Sequence, residues 1–400
     1  MKKIILLLFV VVVVLSLFKI NKEEKEIQKK EEVRAIYISY IELNKYFNNK
    51  TKEEAETVVK DMVENISKEK FNWIILQVRS FSDSIYKSDV FPTNYSITRD
   101  ENIALYFDLL ELFIYYAHEN NIKVHAWINP FRIRNEMTFS KVSISNPAFK
   151  YLGTNNIKLI ESKGIFYNPA SKDVQELIID GIKEIIDNYN IDGIHLDDYF
   201  YPDKTIDLTN YEEYKNNGGN LSIDDYRLEM INKLIKNIYK TIKEKNKNIL
   251  FGVAPDGNIE NNYNDHYADI YTWLENDNYI DYIMPQIYYG FKNQNKPFTK
   301  TINEWNSYIK NKNISLIPAL ALYKAGVTDE YAGSGNHEWI EHNDIIRKQI
   351  LVARNMSNYL GFSLFRYDNY FASNTKITES EIENFRKVIK INWKKRVKVL

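Results

Sequence analysis

IDGIHLDDYFYP, residues 191–202, is an apolar run that ends in two adjacent carboxylates and a row of aromatic rings. Alternate residues of a β-strand face opposite sides. Ile194 and Leu196 are the natural pair to lie against a covering helix, which leaves His195 and Asp197 on the other face. Tyr199 follows in the same phase, and Asp198 sits at the rim, where the strand ends. A strand that buries apolar residues on one face and offers polar groups at its C-terminal end suits a parallel α/β barrel, whose sites form at those ends.

The same pattern repeats on both sides of this stretch. Short β-branched runs occur at 33–39, 72–79, 123–129, 191–198, 249–255, 279–289, 314–323 and 360–368. Between them lie stretches of helical periodicity, such as KEEAETVVKDMVENISKE, VQELIIDGIKEIIDNY and YRLEMINKLIKNIYKTIKEK, with ESEIENFRKVIK closing the series. Eight strands each followed by a helix predict a (β/α)8 TIM barrel over residues 33–392. Neither G-x-G-x-x-G nor a P-loop is present, which argues against a doubly wound nucleotide-binding sheet. Two long loops, 130–170 and 199–222, leave the C-terminal strand ends, where long loops are commonly functional.

Strand parity then supplies the candidate site. With Ile74, Leu76 and Val78 facing helices, Gln77 and Arg79 turn inward. The third strand turns in His125, Trp127 and Asn129, and the sixth Met284, Gln286 and Tyr288. The fifth puts Gly252 and Ala254 inside and ends near Asp256. Buried polar groups cost free energy unless paired, so a ring of them points to a solvated pocket. Single residues also have plainer readings. His125 alone reads first as a satisfied barrel histidine, Arg79 as the partner of an aspartate, Trp127 as core or sugar platform, and Asp198 as a cap or loop anchor. Asp197, projecting into the mouth beside a second acid, fits a plain reading least well.

Composition narrows the classes. The chain of 400 residues carries a net charge of −1 with acids and bases interspersed, which excludes a basic nucleic-acid footprint. The absence of cysteine excludes disulfides, thiolate metal sites and a cysteine nucleophile. Aromatics form 14% of the chain and include 30 tyrosines, whose flat faces and hydroxyls suit sugar rings; AT-rich codon usage, with Lys, Asn and Ile abundant too, is the plainer reading. At the N-terminus, MKK precedes IILLLFVVVVVLSLF (4–18), and Lys19 closes the run. Residues 1–19 therefore read as a signal anchor or a signal peptide, and 20–32 as a charged tether. Either way the chain is expected outside the cytoplasm, held to the membrane or secreted.

With these residues in view, the chain resembles the glycosyl hydrolase-like 10 family of exported bacterial barrels. The resemblance rests on NWIILQVRSFSDSIYKSDVFP, KVHAWINPFRI, NPASKDVQELIIDGIKEII, IDGIHLDDYFYP and IDYIMPQIYYG, and it runs through most of residues 33–370. It implies action on glycan chains, and some relatives cleave peptidoglycan strands stripped of their peptides. A more distant likeness is to family 18 chitinases, whose fourth strand carries acids at alternate positions. Against that pattern His195 replaces one acid, Asp197 keeps one, and Tyr199 stands where the catalytic glutamate would be. Tyrosine is a poor general acid near neutral pH, so that mechanism does not transfer directly.

The expected function is hydrolysis of glycosidic bonds in a cell-wall or N-acetylhexosamine-containing polysaccharide, with Asp197 and Asp198 as the acidic centre. Gln77, Arg79, His125, Trp127, Asn129, His195, Tyr199, Tyr201, Asp256, Gln286 and Tyr288 are the expected substrate-binding groups. No cofactor, metal or nucleic acid is expected, and the protein is expected to be monomeric. Two alternatives remain open: a metal-dependent carbohydrate hydrolase or deacetylase using His125, His195, Asp197 and Asp198, and a barrel that holds glycan without cleaving it.

Overall fold

The computed structural model describes residues 31–93, 95–198, 200–373 and 375–393. The signal or anchor segment 1–19, nearly all of the charged tether and Tyr199 lie outside the described residues. The chain divides into a short unit, Met1–Glu32, and a second, Val33–Leu400. Among the described residues no helix is long and apolar enough to cross a membrane.

The second unit is built on a curled parallel sheet of nine strands: β1 (Val33–Ile38), β2 (Trp73–Arg79), β3 (Lys123–Ile128), β4 (Gly193–Leu196), β5 (Leu250–Val253), β6 (Tyr282–Ile283), β7 (Ser315–Leu316), β8 (Ala319–Ala321) and β9 (Gly361–Phe365). The strands lie in the order β7-β6-β5-β4-β3-β2-β1-β9-β8. Every pairing along this series is parallel. Each apolar run singled out in the sequence contains a strand, and the run 314–323 contains two.

Pro318 explains the extra strand. Proline has no N–H to give to a ladder, so the segment breaks there into β7 and β8. Its remaining groups bond to both sides. Ile317 and Ala319 donate to Ile283 and Pro285 at 3.0 and 2.9 Å, while Leu360 and Ser363 donate to Leu316 and Pro318, both at 3.0 Å. The two ends of the strand order are thus pieces of one segment, bonded to β6 on one side and to the β9 region on the other.

Helices alternate with the strands, among them Lys52–Lys68, Leu109–Glu119, Lys172–Asn188, Ile223–Lys245, Phe298–Tyr308, Ile345–Ala353 and Lys376–Ile389. Several begin on the side-chain caps expected of helix starts. Thr51, Asp108, Ser171 and Ser222 each accept from a backbone N–H of the first turn. On Lys172–Asn188 the buried residues Val174, Ile178, Ile182 and Ile185 fall at helical spacing and join the layer between sheet and helices.

Parity divides the core in two. Ile74, Leu76 and Val78 of β2 and Ile194 and Leu196 of β4 pack in the outer layer. Ala35, Tyr37, Trp73, Ile75, Trp127, Tyr282 and Met284 form a separate inner cluster. Ile194 and Leu196 are each fully buried, a contribution of about 1.5–3 kcal/mol per side chain. A one-residue slip of β4 would forfeit that and press His195 and Asp197 against the helices, so the register is strongly fixed.

The long loop 130–170 has structure of its own, a three-stranded antiparallel sheet of Arg132–Arg134, Gly164–Tyr167 and Ile157–Ile160. Gly164, with φ +117°, lets two of these strands meet: a Cβ there would lie 2.1 Å from the Arg134 carbonyl oxygen. This sheet carries Arg132 back toward the mouth of the larger one.

Candidate active site

The C-terminal ends of seven strands of the parallel sheet, or the residues just beyond them, surround a cavity of about 220 Å³. Tyr37, Ser39, Tyr40 and Ile41 come from the end of β1, Gln77 from β2, and Trp127 and Asn129 from β3. Asp197 and Asp198 follow β4, Ala254 follows β5, Gln286 and Tyr288 follow β6, and Phe365 ends β9; Arg132 enters from the smaller sheet. The volume lies below the roughly 300–1,000 Å³ of typical ligand pockets. It suits one ring of a larger molecule, with the rest lying across the open mouth.

The two acids sit in different surroundings. Asp197 is 3% exposed, and its Oδ2 accepts a hydrogen bond from Trp127 Nε1 at 3.0 Å. Asp198 is half-buried, and its Oδ1 accepts from Gln286 Nε2 at 3.1 Å. Gln286 is itself held by a second bond, from the same nitrogen to the Ala254 carbonyl at 3.0 Å. Loss of hydration pushes the Asp198 carboxyl above the usual carboxylate range. The Gln286 bond, a backbone N–H and His266 oppose that rise, and the charge of Asp256 adds to it.

On the opposite wall, Gln77 Nε2 donates to Asn129 Oδ1 at 2.6 Å, and Gln77 Oε1 accepts the Tyr40 N–H at 2.9 Å. Asn129 is 1% exposed, and its Nδ2 has no hydrogen-bond partner among the described residues. An amide donor held at a cavity wall is available to a hydroxyl or carbonyl oxygen of a ligand.

Other expected site residues stand elsewhere. Arg79 does not line the cavity. A register shift between Gln77 and Arg79 breaks the alternation, and the guanidinium lies 3.9 Å from the Phe91 ring centroid, beside Gly181 of the helix Lys172–Asn188. Burial lowers its pKa from the ordinary arginine value. His125 and His195 face inward as parity predicts, but in the core beneath the cavity. Burial drives both pKa values down, His195 to about 3. Tyr201 is buried in the following loop, where it donates to Asp207 at 3.2 Å; Asp207 is in turn paired with Arg227. Asp256 stands beside the cavity rather than on its lining, with its Oδ1 accepting from the Asn258 N–H at 2.7 Å and from the Tyr289 hydroxyl at 3.3 Å.

The sequence reading missed Tyr37, Ser39, Tyr40, Ile41, Arg132 and Phe365. Parity applied to VRAIYIS would have turned Tyr37 and Ser39 inward with Ala35. No such signal marks Arg132, which depends on the smaller sheet. Among the described residues, no group of three or more His, Cys, Asp or Glu side chains is placed to hold a metal ion. The two histidines that the metal reading needs have ring nitrogens bonded to tyrosine hydroxyls instead.

Comparison with known proteins agrees with this architecture. The sequence profile of the family described as glycosyl hydrolase-like 10 matches residues 32–333. "Glycosyl hydrolase YngK" of Bacillus subtilis (strain 168) is 29% identical over 354 residues, covering 82% of this chain and 68% of the relative. "Glycosyl hydrolase DigH" of Escherichia coli (strain K12) is 25% identical over 332 residues, covering 77% of this chain and 74% of that protein. Among solved structures, the glycoside hydrolase domain of PgaB (BpsB) from Bordetella bronchiseptica superposes with a TM-score of 0.58 at 12% identity, covering 89% of this chain and 98% of that one. At that identity the likeness speaks for the fold.

Proposed function

We propose that this chain, which belongs to the glycosyl hydrolase-like 10 family, is an exported glycoside hydrolase acting on a cell-wall or N-acetylhexosamine-containing polysaccharide. We read its curled sheet as a (β/α)8 barrel over residues 33–392, tethered through residues 20–32 to a membrane anchor or signal segment. One observation carries the catalytic reading: two adjacent carboxylates stand at the C-terminal mouth in unlike environments. One is bonded to an indole N–H and the other is pushed toward its protonated form by burial.

Glycoside hydrolysis needs a proton at the leaving oxygen and a negative group to stabilise the sugar cation as the bond breaks. Asp198 is assigned the first role, because a raised pKa keeps a carboxylic acid protonated nearer to neutral pH. Its proton passes to the glycosidic oxygen as the C1–O bond breaks. Asp197, oriented by Trp127, stabilises the positive charge that develops. On an N-acetylated sugar the acetamide oxygen can serve as nucleophile, so one protein acid suffices, and Asn129 Nδ2, which has no partner among the described residues, would hold a ligand oxygen. Trp127, Tyr288 and Phe365 offer ring faces to the sugar. Release from the chain would require water to attack C1 and return a proton to Asp198.

The test is digestion of three purified polymers: peptide-free cell-wall glycan, chitin oligomers and a deacetylated glucosamine polymer, with products identified by mass. Release of new reducing ends from at least one of them is expected. Binding without release would move the assignment to a glycan-holding barrel. Activity lost on chelation and restored by a divalent ion would move it to the metal-dependent alternative.

A further inference from the structure

Beneath the acidic pair, four side chains form a hydrogen-bonded column down the inside of the sheet. Tyr37, on the cavity lining, lies 3.1 Å from His195 Nε2. His195 Nδ1 lies 3.0 Å from the Tyr282 hydroxyl, which lies 2.9 Å from His125 Nδ1. All four are buried. The column links side chains of β1, β4, β6 and β3, and it begins where the two aspartates stand.

Its protons can be placed by counting donors and acceptors. Burial keeps both imidazoles neutral, so each ring has one N–H and one bare nitrogen. Met284 Sδ lies 2.9 Å from the Tyr37 hydroxyl, and a thioether sulfur has no hydrogen to give. Tyr37 is therefore the donor in that contact, and its only hydrogen is used there. The Tyr37 oxygen must then accept from His195 Nε2–H. That leaves His195 Nδ1 bare, to accept the Tyr282 O–H. The Tyr282 oxygen in turn accepts from His125 Nδ1–H. His125 Nε2 ends the series as a bare nitrogen, with no hydrogen-bond partner among the described residues.

We infer that Tyr37 is a further catalytic residue of the proposed hydrolase, its hydroxyl hydrogen held in reserve on Met284 and turned to a substrate oxygen when a sugar fills the cavity. His195 is the positioning residue that holds the Tyr37 oxygen while this happens. The inference rests on the hydrolase reading above. A thioether is a weak acceptor, so exchanging it for a sugar oxygen or for charge building up on one is favourable. Tyr37 remains a donor rather than a base: burial, with the charges of Asp197 and Asp198, raises its pKa well above the usual tyrosine value, against a smaller opposing effect of Ser363. Its ring also meets Trp127 edge-on at 5.3 Å between centroids, and Trp127 is the ring that orients Asp197. No covalent bond changes at Tyr37; it contributes a hydrogen bond, and the proton transferred in the reaction comes from Asp198.

Two experiments test this, and the first does not depend on activity. Nitrogen-15 NMR of histidine-labelled full-length protein at neutral pH should show His195 as the Nε2–H tautomer and His125 as the Nδ1–H tautomer. His195 found as the Nδ1–H tautomer or as imidazolium overturns the proton assignment. The second is kinetic, on whichever of the three polymers is cleaved. Tyr37→Phe keeps the ring and its Trp127 contact but removes the hydroxyl, and kcat should fall by about 100-fold with KM little changed. His195→Leu should show the same split, and His195→Gln, which can restore an N–H donor, should recover part of the loss. If Tyr37→Phe keeps kcat within about twofold of the parent, or changes only KM, the catalytic role is overturned. A parent that cleaves none of the polymers overturns the hydrolase reading and Tyr37's role with it. An active parent with an unaffected Tyr37→Phe overturns Tyr37's role alone.

Discussion

His195 and Asp197 lie two residues apart on the same strand end and face the same way, yet their surroundings do opposite work. His195 stands in the column, where both ring nitrogens are bonded to tyrosines and burial keeps the ring uncharged. Asp197 stands one layer higher, on the wall of a cavity, beside an acid that burial favours in its protonated form. A few ångströms along one strand separate a core that excludes charge from a cavity wall that carries two carboxylates. Desolvation acts in both places. In the core it removes charge from a base, and at the mouth it keeps a proton on an acid.

The comparison breaks most severely if the mouth is disarmed. Asp198→Asn removes the transferable proton at nearly constant size, and turnover should fall by roughly two to four orders of magnitude with binding and folding retained. Asp197→Asn should fall within the same range if it stabilises charge as assigned. A double variant no slower than the worse single one would show that the pair acts as a unit. These rates are read as reducing ends released per enzyme.

The core half of the comparison is tested by acid. The folded pKa values of His195 and His125 lie below the ordinary histidine value of about 6.5, so as pH falls the unfolded chain takes up protons first. Their contribution to stability is complete above pH 6.5 and declines as pH falls toward about 3, the folded value of His195. The slope approaches about 1.4 kcal/mol per pH unit for each histidine well below pH 6.5, a loss of about 1.6 kcal/mol each between pH 6.5 and 5. Denaturant unfolding at those two pH values measures it, and His195→Gln should show a visibly shallower loss. Equal slopes in the two proteins would mean that His195 is not held neutral.

Smaller changes sharpen the mouth. Trp127→Phe keeps a ring on the cavity wall but removes the N–H bonded to Asp197, and kcat should drop about tenfold, the scale of one hydrogen bond to a carboxylate. Gln286→Leu removes a bond that pulls the Asp198 pKa down, so that pKa should rise further. The alkaline limb of the rate profile then moves to higher pH by less than about one unit. A shift to lower pH would contradict the assigned direction of the Gln286 bond.

What the sequence made legible follows from periodicity. Ile74, Leu76 and Val78, like Ile194 and Leu196, mark helix-facing positions by period two, and the structure puts them in the outer layer. The same rule placed His195 and Asp197 on the inner face and brought Gln77, Trp127, Asn129, Gln286 and Tyr288 to one cavity. It fails wherever a strand stops being regular. The bulge after Gln77 turns Arg79 toward a helix, and Pro318 splits one strand into two. Arg132 depends on long-range pairing between Arg132–Arg134 and Gly164–Tyr167, thirty or so residues apart, which leaves no local signature. Depth is equally invisible, since parity says which way His195 and Asp197 face but not that one is in the core and the other on a cavity wall.

The most direct test is kcat/KM against pH for the parent and Asp198→Asn on the cleaved glycan. If Asp198 supplies the proton, the parent loses activity as pH rises through the raised pKa of that carboxyl, and the variant, far slower, lacks that limb. A variant that keeps the parent's rate, or that retains the same alkaline limb, would contradict the assignment of Asp198 as the proton donor at this mouth.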